Sequence, residues 1–270
     1  MFIIATRGNI ASAINNLDDD FAILSRFHYT EFAMLFGRGK RMKYDFDEII
    51  GRAGTSSIKL EAGEKINPYL PQEHIPLWVA DMDFACAPQI LAAMQTRLER
   101  RILGYTSLSD ACKQSACRWM ERRFGWAADE GQIVFSAGVV AAIYAAVARL
   151  TQAGDEVCFL TPAYRPFEDA VRKQGRVPLY SRMVRRGGAW AIDFGDLAEK
   201  LGRRRCAMFI HCGPHNPTGR VFTEAELRRL GELCFDSGVF VVSDEIHADL
   251  TRKGVTHIPL AKLFPGEKRI

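Results

Sequence analysis

From Met42 onward, short apolar runs alternate with stretches whose apolar residues recur at helical spacing. Ile90, Leu91, Met94 and Leu98 follow Pro88, a residue suited to the first position of a helix. Ser107 and Asp110 stand at capping-box spacing and predict a helix running to about Phe124. Val139 to Leu150 is Ala-rich and reads as a helix, and so does Phe167 to Gln174. Thr223 and Glu226 form a full capping box for a helix ending near Asp236. Between these lie the short buried strands Val157–Leu160, Ala207–Ile210 and Val239–Val242, with Val177–Tyr180 extended. This alternation predicts an α/β fold, a mainly parallel sheet sandwiched by helices.

Residues 1–41 keep no lasting period and end in the basic run Gly37 to Arg41, so an N-terminal extension or a mis-assigned start is expected there. The apolar opening Met1 to Ala5 is followed by Arg7 and the acidic run Asp18 to Asp20, which is not the pattern of a secretory signal. No continuous apolar run is long enough to cross a bilayer, so a cytoplasmic protein without membrane contact is expected. The 270 residues suffice for one large domain or one and a fraction, and 48% hydrophobic with 25% charged residues suits a globular chain. The seven cysteines form no C-x-x-C pair, which removes zinc-ribbon and redox-motif readings and leaves small buried hydrophobes. Net charge is +4, and the runs Arg185–Arg186 and Arg203–Arg205 are too short to argue for nucleic acid.

In a parallel sheet, ligands bind at the carboxyl ends of the strands, so the residues just past each apolar run carry the chemistry. Val242 is followed by Ser243-Asp244-Glu245-Ile246-His247. An acidic residue leaving a buried strand is costly unless it meets a cation, although a helix cap or an ion pair would also account for it. Ile210 leads into His211-Cys212-Gly213-Pro214-His215-Asn216-Pro217-Thr218-Gly219, a rigid turn by its Pro and Gly punctuation. The two histidines and Cys212 lack the helical face that a metal site at this spacing needs, so no metal is expected. Ser136-Ala137-Gly138-Val139-Val140 runs straight into the Ala-rich helix, where free N–H groups and the helix dipole favour a phosphate. Tyr164 follows the Val157 strand and could be a core residue or a ring that stacks on a flat ligand.

Taken in this order, the segments resemble the pyridoxal 5′-phosphate (PLP) dependent enzymes of the aspartate aminotransferase fold. The strongest matches are Asn216-Pro217-Thr218-Gly219 and Ser243 to His247. Within that superfamily the chain resembles the C–S β-lyases, meaning cystathionine β-lyase and cysteine-S-conjugate β-lyase. Tyr44 to Asp47, Pro76 to Phe84, Gly104-Tyr105, Thr161 to Tyr164 and His257-Ile258-Pro259 carry this closer likeness. The resemblance implies the fold type I large domain of a PLP-dependent transferase, and it implies PLP as cofactor. Asp244 would pair with the pyridine nitrogen, Asn216 and His247 would reach the ring oxygen, and Tyr164 would stack on the ring. Gly138, Val139 and Val140 would offer N–H groups to the phosphate. Tyr105 would reach the phosphate of a neighbouring subunit, which implies a homodimer, and Val79, Ala80 and Asp81 would lie beside a small amino-acid substrate.

The resemblance divides the chain into the extension 1–41, an N-terminal arm with part of a small domain over 42–85, and a PLP-binding large domain over 86–270. It departs from the family in one respect: no serine precedes Lys253, Lys262 or Lys268. The family's Schiff-base lysine is therefore expected about five to ten residues beyond Ile270, and the large domain is expected to be incomplete. The implied reaction of the parent enzyme is β-elimination on cystathionine or related cysteine S-conjugates, giving thiol, pyruvate and ammonia. The chain as written is expected to be inactive for want of a catalytic residue. An aminotransferase of the same fold shares Asp244, Asn216 and Tyr164 and stays open, as does a truncated, non-catalytic PLP-fold protein.

Overall fold

The apolar runs pair into a parallel ladder with helices on both faces, as their alternation with helical stretches requires. The computed structural model describes residues 2–4, 44–71 and 74–270, so most of the extension expected over 1–41 lies outside the described residues. Contacts divide the chain between Thr106 and Ser107, later than the boundary at 85–86 that the resemblance draws.

The N-terminal unit contains α1 (Ile58–Glu61), α2 (Gly63–Ile66) and α3 (Pro88–Glu99). Pro88 opens α3 as the sequence predicts, because a first-turn N–H has no partner to lose. None of its residues is buried, and Ile90, Leu91, Met94 and Leu98 are all exposed. In the same unit Arg52 binds Asp81 at 2.8 Å and Asp83 at 2.6 Å, and buried Lys59 binds Asp83 at 2.6 Å.

In the other unit, β1 (Phe2–Ile4) pairs antiparallel with β2 (Ile133–Phe135). The helix α4 (Asp110–Phe124) starts at Ser109, whose hydroxyl accepts from the Cys112 N–H. The cap is thus Ser109 and not Ser107, because the helix begins later than the capping-box spacing suggests. Gly125 closes α4 at φ 61°, a left-handed conformation that glycine takes without a Cβ clash. Helix α5 (Val139–Leu150) follows β2 and leads to β3 (Glu156–Thr161). Then come α6 (Arg165–Arg172), β4 (Val177–Arg182), the hairpin β5 (Val184–Arg186) and β6 (Ala189–Ala191), and α7 (Phe194–Leu201). The chain ends through β7 (Cys206–Cys212), α8 (Glu224–Asp236), β8 (Phe240–Asp244) and α9 (Leu260–Leu263). Thr223 and Glu226 cap α8 reciprocally, as predicted.

The four-stranded sheet has the order β4-β3-β7-β8, all parallel. Successive side chains of a strand point to opposite faces, and here each face has its own core. Val157 and Phe159 of β3 join Met208 and Ile210 under α5 and α6, with Ile143, Val147 and Phe167. Cys158 and Leu160 join Phe209 and Val241 under α7 and α8, with Leu197, Leu201, Leu227 and Leu230. Between Glu156 and Val157 the register with β7 shifts, so Cys206 joins the second cluster although Met208 joins the first. Each large apolar side chain buried this way contributes about 1.5–3 kcal/mol.

Candidate active site

The carboxyl ends of β3, β7 and β8 and the start of α5 carry most of the residues singled out in the sequence. The ladder brings them into register. His211 pairs with Ser243 and Cys212 with Asp244, so β7 and β8 run past their apolar stretches into the polar residues. Asp244 is therefore the last residue of β8, not a residue of the following turn.

Asp244 is 6% exposed. One carboxyl oxygen accepts the Ile246 N–H at 3.1 Å, and no Lys or Arg among the described residues pairs with it. Burial pushes its carboxyl above the ordinary aspartate value, and the Glu245 charge adds to this; the Ile246 N–H and His247 act the other way. A carboxyl desolvated this far without a cation is suited to receive one from a ligand. Its backbone carbonyl accepts the Gly213 N–H at 3.0 Å, tying the end of β8 to the turn after β7.

That turn presents Asn216. Gly213–Pro214 and Asn216–Pro217 are cis, as is Thr161–Pro162 after β3. The His215 N–H donates to the Arg220 carbonyl, the Gly219 N–H donates to the His215 carbonyl, and His215 Nδ1 lies 2.8 Å from Thr218 Oγ1. The Asn216 N–H contacts Cys212 Sγ at 3.5 Å, while its side-chain amide has no hydrogen-bond partner among the described residues. His211 and His215 are buried beneath the turn. Burial lowers the His211 imidazole to about 3, with the His215 and His257 charges adding to the effect, and lowers His215 to about 4. The Cys212 thiol is pushed up to about 12 by burial. These groups are neutral supports of the turn, and among the described residues no cluster of three such side chains could hold a metal.

Gly138 is the N-cap of α5 and supplies no side chain to its free N–H groups. A Cβ built on Gly138 would meet nothing within 4 Å, so the space before Val139 and Val140 is open. The Ser136 hydroxyl donates to the Gly138 carbonyl at 3.1 Å and steadies this approach. Tyr164, half-exposed, caps α6 and meets buried Phe167 edge-on at 5.7 Å, which fixes the plane of its ring. His247 is half-buried in the turn after β8. An anion-ready helix end, an amide without a partner, a braced aromatic ring and a desolvated carboxylate together fit PLP, an anionic phosphate on a flat, protonated pyridine ring.

Val79, Ala80, Asp81 and Tyr105 belong to the N-terminal unit. Val79 has φ 62°, a strained conformation for a β-branched residue, and Tyr105 is fully exposed. Glu245, Ser136 and Phe167 stand within segments singled out in the sequence but have no role of their own there. Glu245 was legible only as a neighbour of Asp244, and its partner His257 stands far along the chain.

The family model for aminotransferase class I and II matches residues 72–266. Cystathionine beta-lyase PatB of Bacillus subtilis is 42% identical over 219 residues, which is 81% of this chain and 56% of that protein. The PLP-bound C-S lyase of Staphylococcus hominis superposes with a TM-score of 0.79 at 36% identity, covering 85% of this chain and 58% of that one. Cystalysin of Treponema denticola, whose structure contains PLP, gives 0.78 at 33% identity over 82% of this chain and 56% of that one. The chain thus spans little more than half the length of these relatives. With the strand-end residues in place and the family model matched across most of the chain, this protein belongs to the aminotransferase class I and II family.

Proposed function

We propose that this chain binds pyridoxal 5′-phosphate at the strand ends, and that the whole protein uses it for β-elimination. The substrates are cystathionine or related cysteine S-conjugates, and the products are a thiol, pyruvate and ammonia. The observation that carries the reading is Asp244, a nearly buried carboxyl with no Lys or Arg partner among the described residues. The likeness to the C-S lyases supports the choice of reaction within the family.

When bound, the cofactor supplies a protonated pyridine ring that draws electrons away from the substrate's Cα. Asp244 holds a proton at the ring nitrogen, since its carboxylate and the pyridinium neutralise each other where neither is well solvated. Asn216 would donate its amide to the ring oxygen, and His247 is assigned as a second donor to it. Tyr164, braced by Phe167, covers one ring face and excludes water there. The first turn of α5 binds the phosphate through the Val139 and Val140 N–H groups, with Gly138 leaving room for its oxygens. Val79, Ala80 and Asp81 are assigned to the substrate, and exposed Tyr105 to the phosphate of a second subunit in a homodimer. The base that takes the Cα proton is assigned to a lysine other than Lys253, Lys262 and Lys268, none of which follows a serine; the Lys262 amine donates to the Phe124 carbonyl at 2.8 Å.

The test uses the longest product the gene encodes. It should bind PLP and release pyruvate from cystathionine, and Asp244→Ala should abolish both. Amino-group exchange between an amino acid and a 2-oxo acid without pyruvate release would make the protein an aminotransferase. PLP binding without turnover of either kind would make it a non-catalytic member of the fold, and absence of PLP binding would remove the reading altogether.

A further inference from the structure

We infer that Glu245 is a positioning residue, one that aims Asp244 by tethering the end of β8 to the segment carrying His257. This rests on the reading of Asp244 as the ring's partner and goes beyond it. Glu245 is mostly buried, yet no cofactor role falls to it: its carboxylate turns toward the protein. Oε1 accepts from the Ser243 hydroxyl at 2.7 Å and from the Leu260 N–H at 2.9 Å. Oε2 lies 2.9 Å from Nε2 of His257, which is 4% exposed and packed edge-on against Phe124 at 5.6 Å.

Along an extended chain alternate side chains share a face, so Ser243 and Glu245 lie together while Asp244 points the other way. Holding Glu245 from two sides therefore fixes the backbone that sets the direction of the Asp244 carboxyl. The carbonyl of Asp244, held by Gly213, is the opposite tether. The groups bearing on Asp244 are then the Ile246 N–H, His247 and Glu245 itself. A second brace lies just beyond: Asp249 accepts from Trp119 Nε1 at 3.0 Å and from Arg123 Nε at 2.8 Å, anchoring the turn that holds His247 to α4. A carboxylate aimed wrongly would still fold but would lose its hold on the ring proton.

The test titrates pyridoxamine 5′-phosphate, a probe that needs no lysine, into the longest product the gene encodes, and follows the absorbance of the bound ring from pH 6 to 9. In the wild type the ring should keep its proton throughout. Glu245→Ala should weaken binding about tenfold and let the bound ring lose its proton within that range. Glu245→Gln, whose amide can still accept from Ser243 and Leu260, should restore both properties. Were the alanine variant unable to fold, Ser243→Ala, which frees only the strand-side tether, should show the same titration at smaller amplitude. An alanine variant at Glu245 that folds and keeps the wild-type titration overturns the inference, whatever its affinity, because a merely structural role would not move it. Asp244→Asn separates the two levels: if the ring titrates alike in that variant and the wild type, it is the cofactor reading that has failed.

Discussion

Asp244 trades stability for binding. Its carboxyl is raised above 3.8 in the folded chain, so over the range between 3.8 and the raised value the folded state holds more protons than the unfolded one. Stability therefore falls as pH rises through that range, and the deficit persists at neutral pH. Asp244→Asn should raise the melting temperature of the cofactor-free protein at pH 7, read by circular dichroism. The same variant should weaken PLP by about 1.5–3 kcal/mol, the usual worth of a hydrogen bond to a charged group. Both outcomes together mark a residue kept for its ligand, and an unchanged or lowered melting temperature would argue against that. Asp244 and Asn216 were legible because polar residues straight after apolar strands are anomalies with a chemical meaning. Glu245 was not, because its worth lies in Leu260 and His257, which no local spacing connects to it.

Along residues 107–270 the elements that were expected have the expected type, and the Val139–Leu150 helix has both expected ends, but β2, the β5–β6 hairpin and α7 were not expected and several other ends lie elsewhere. Hydrogen bonding in a parallel ladder continues as long as a partner lies alongside, so β7 runs to Cys212 and β8 to Asp244 after hydrophobicity stops. Helix α6 begins at Arg165, ahead of the expected Phe167, because Pro166 is tolerated where N–H groups have no helical acceptor. The cap of α8 was read correctly, since both partners of its box are local. Thr223→Ala should cost about 1 kcal/mol in urea denaturation without affecting PLP binding. Gly213 is the opposite case: a Cβ there would stand 2.6 Å from the His211 ring, which is itself locked between Phe209 and Phe222. Gly213→Ala should destabilise by about 1–3 kcal/mol and also displace the Asn216 turn, seen as weaker PLP binding.

At the scale of the larger unit, two cores lie on the faces of the four-stranded sheet, and the buried histidines follow the apolar stretch of β7 at its carboxyl end. His211 and His215 stay neutral when folded but protonate near 6.5 when unfolded, so their contribution is lost as pH falls from about 6.5 toward about 4 and 3. Urea midpoints should therefore drop between pH 7 and pH 5, and less so in His215→Gln. Phe159→Ala in the centre of the sheet should cost about 3–5 kcal/mol. The register shift beside Glu156 absorbs one residue of β7: Ala207 falls between the partners of Glu156 and Val157, so Cys206 and Met208 face different layers although they are two apart in sequence. Deleting Ala207 would make Cys206 and Met208 adjacent and leave each on the face it already occupies, so the layers of Phe209, Ile210, His211 and Cys212 should survive it. Loss of one residue at the bulge should therefore leave PLP binding nearly intact, whereas loss of one between Met208 and Cys212 would exchange the faces of the residues that lead into the Asn216 turn and should abolish it.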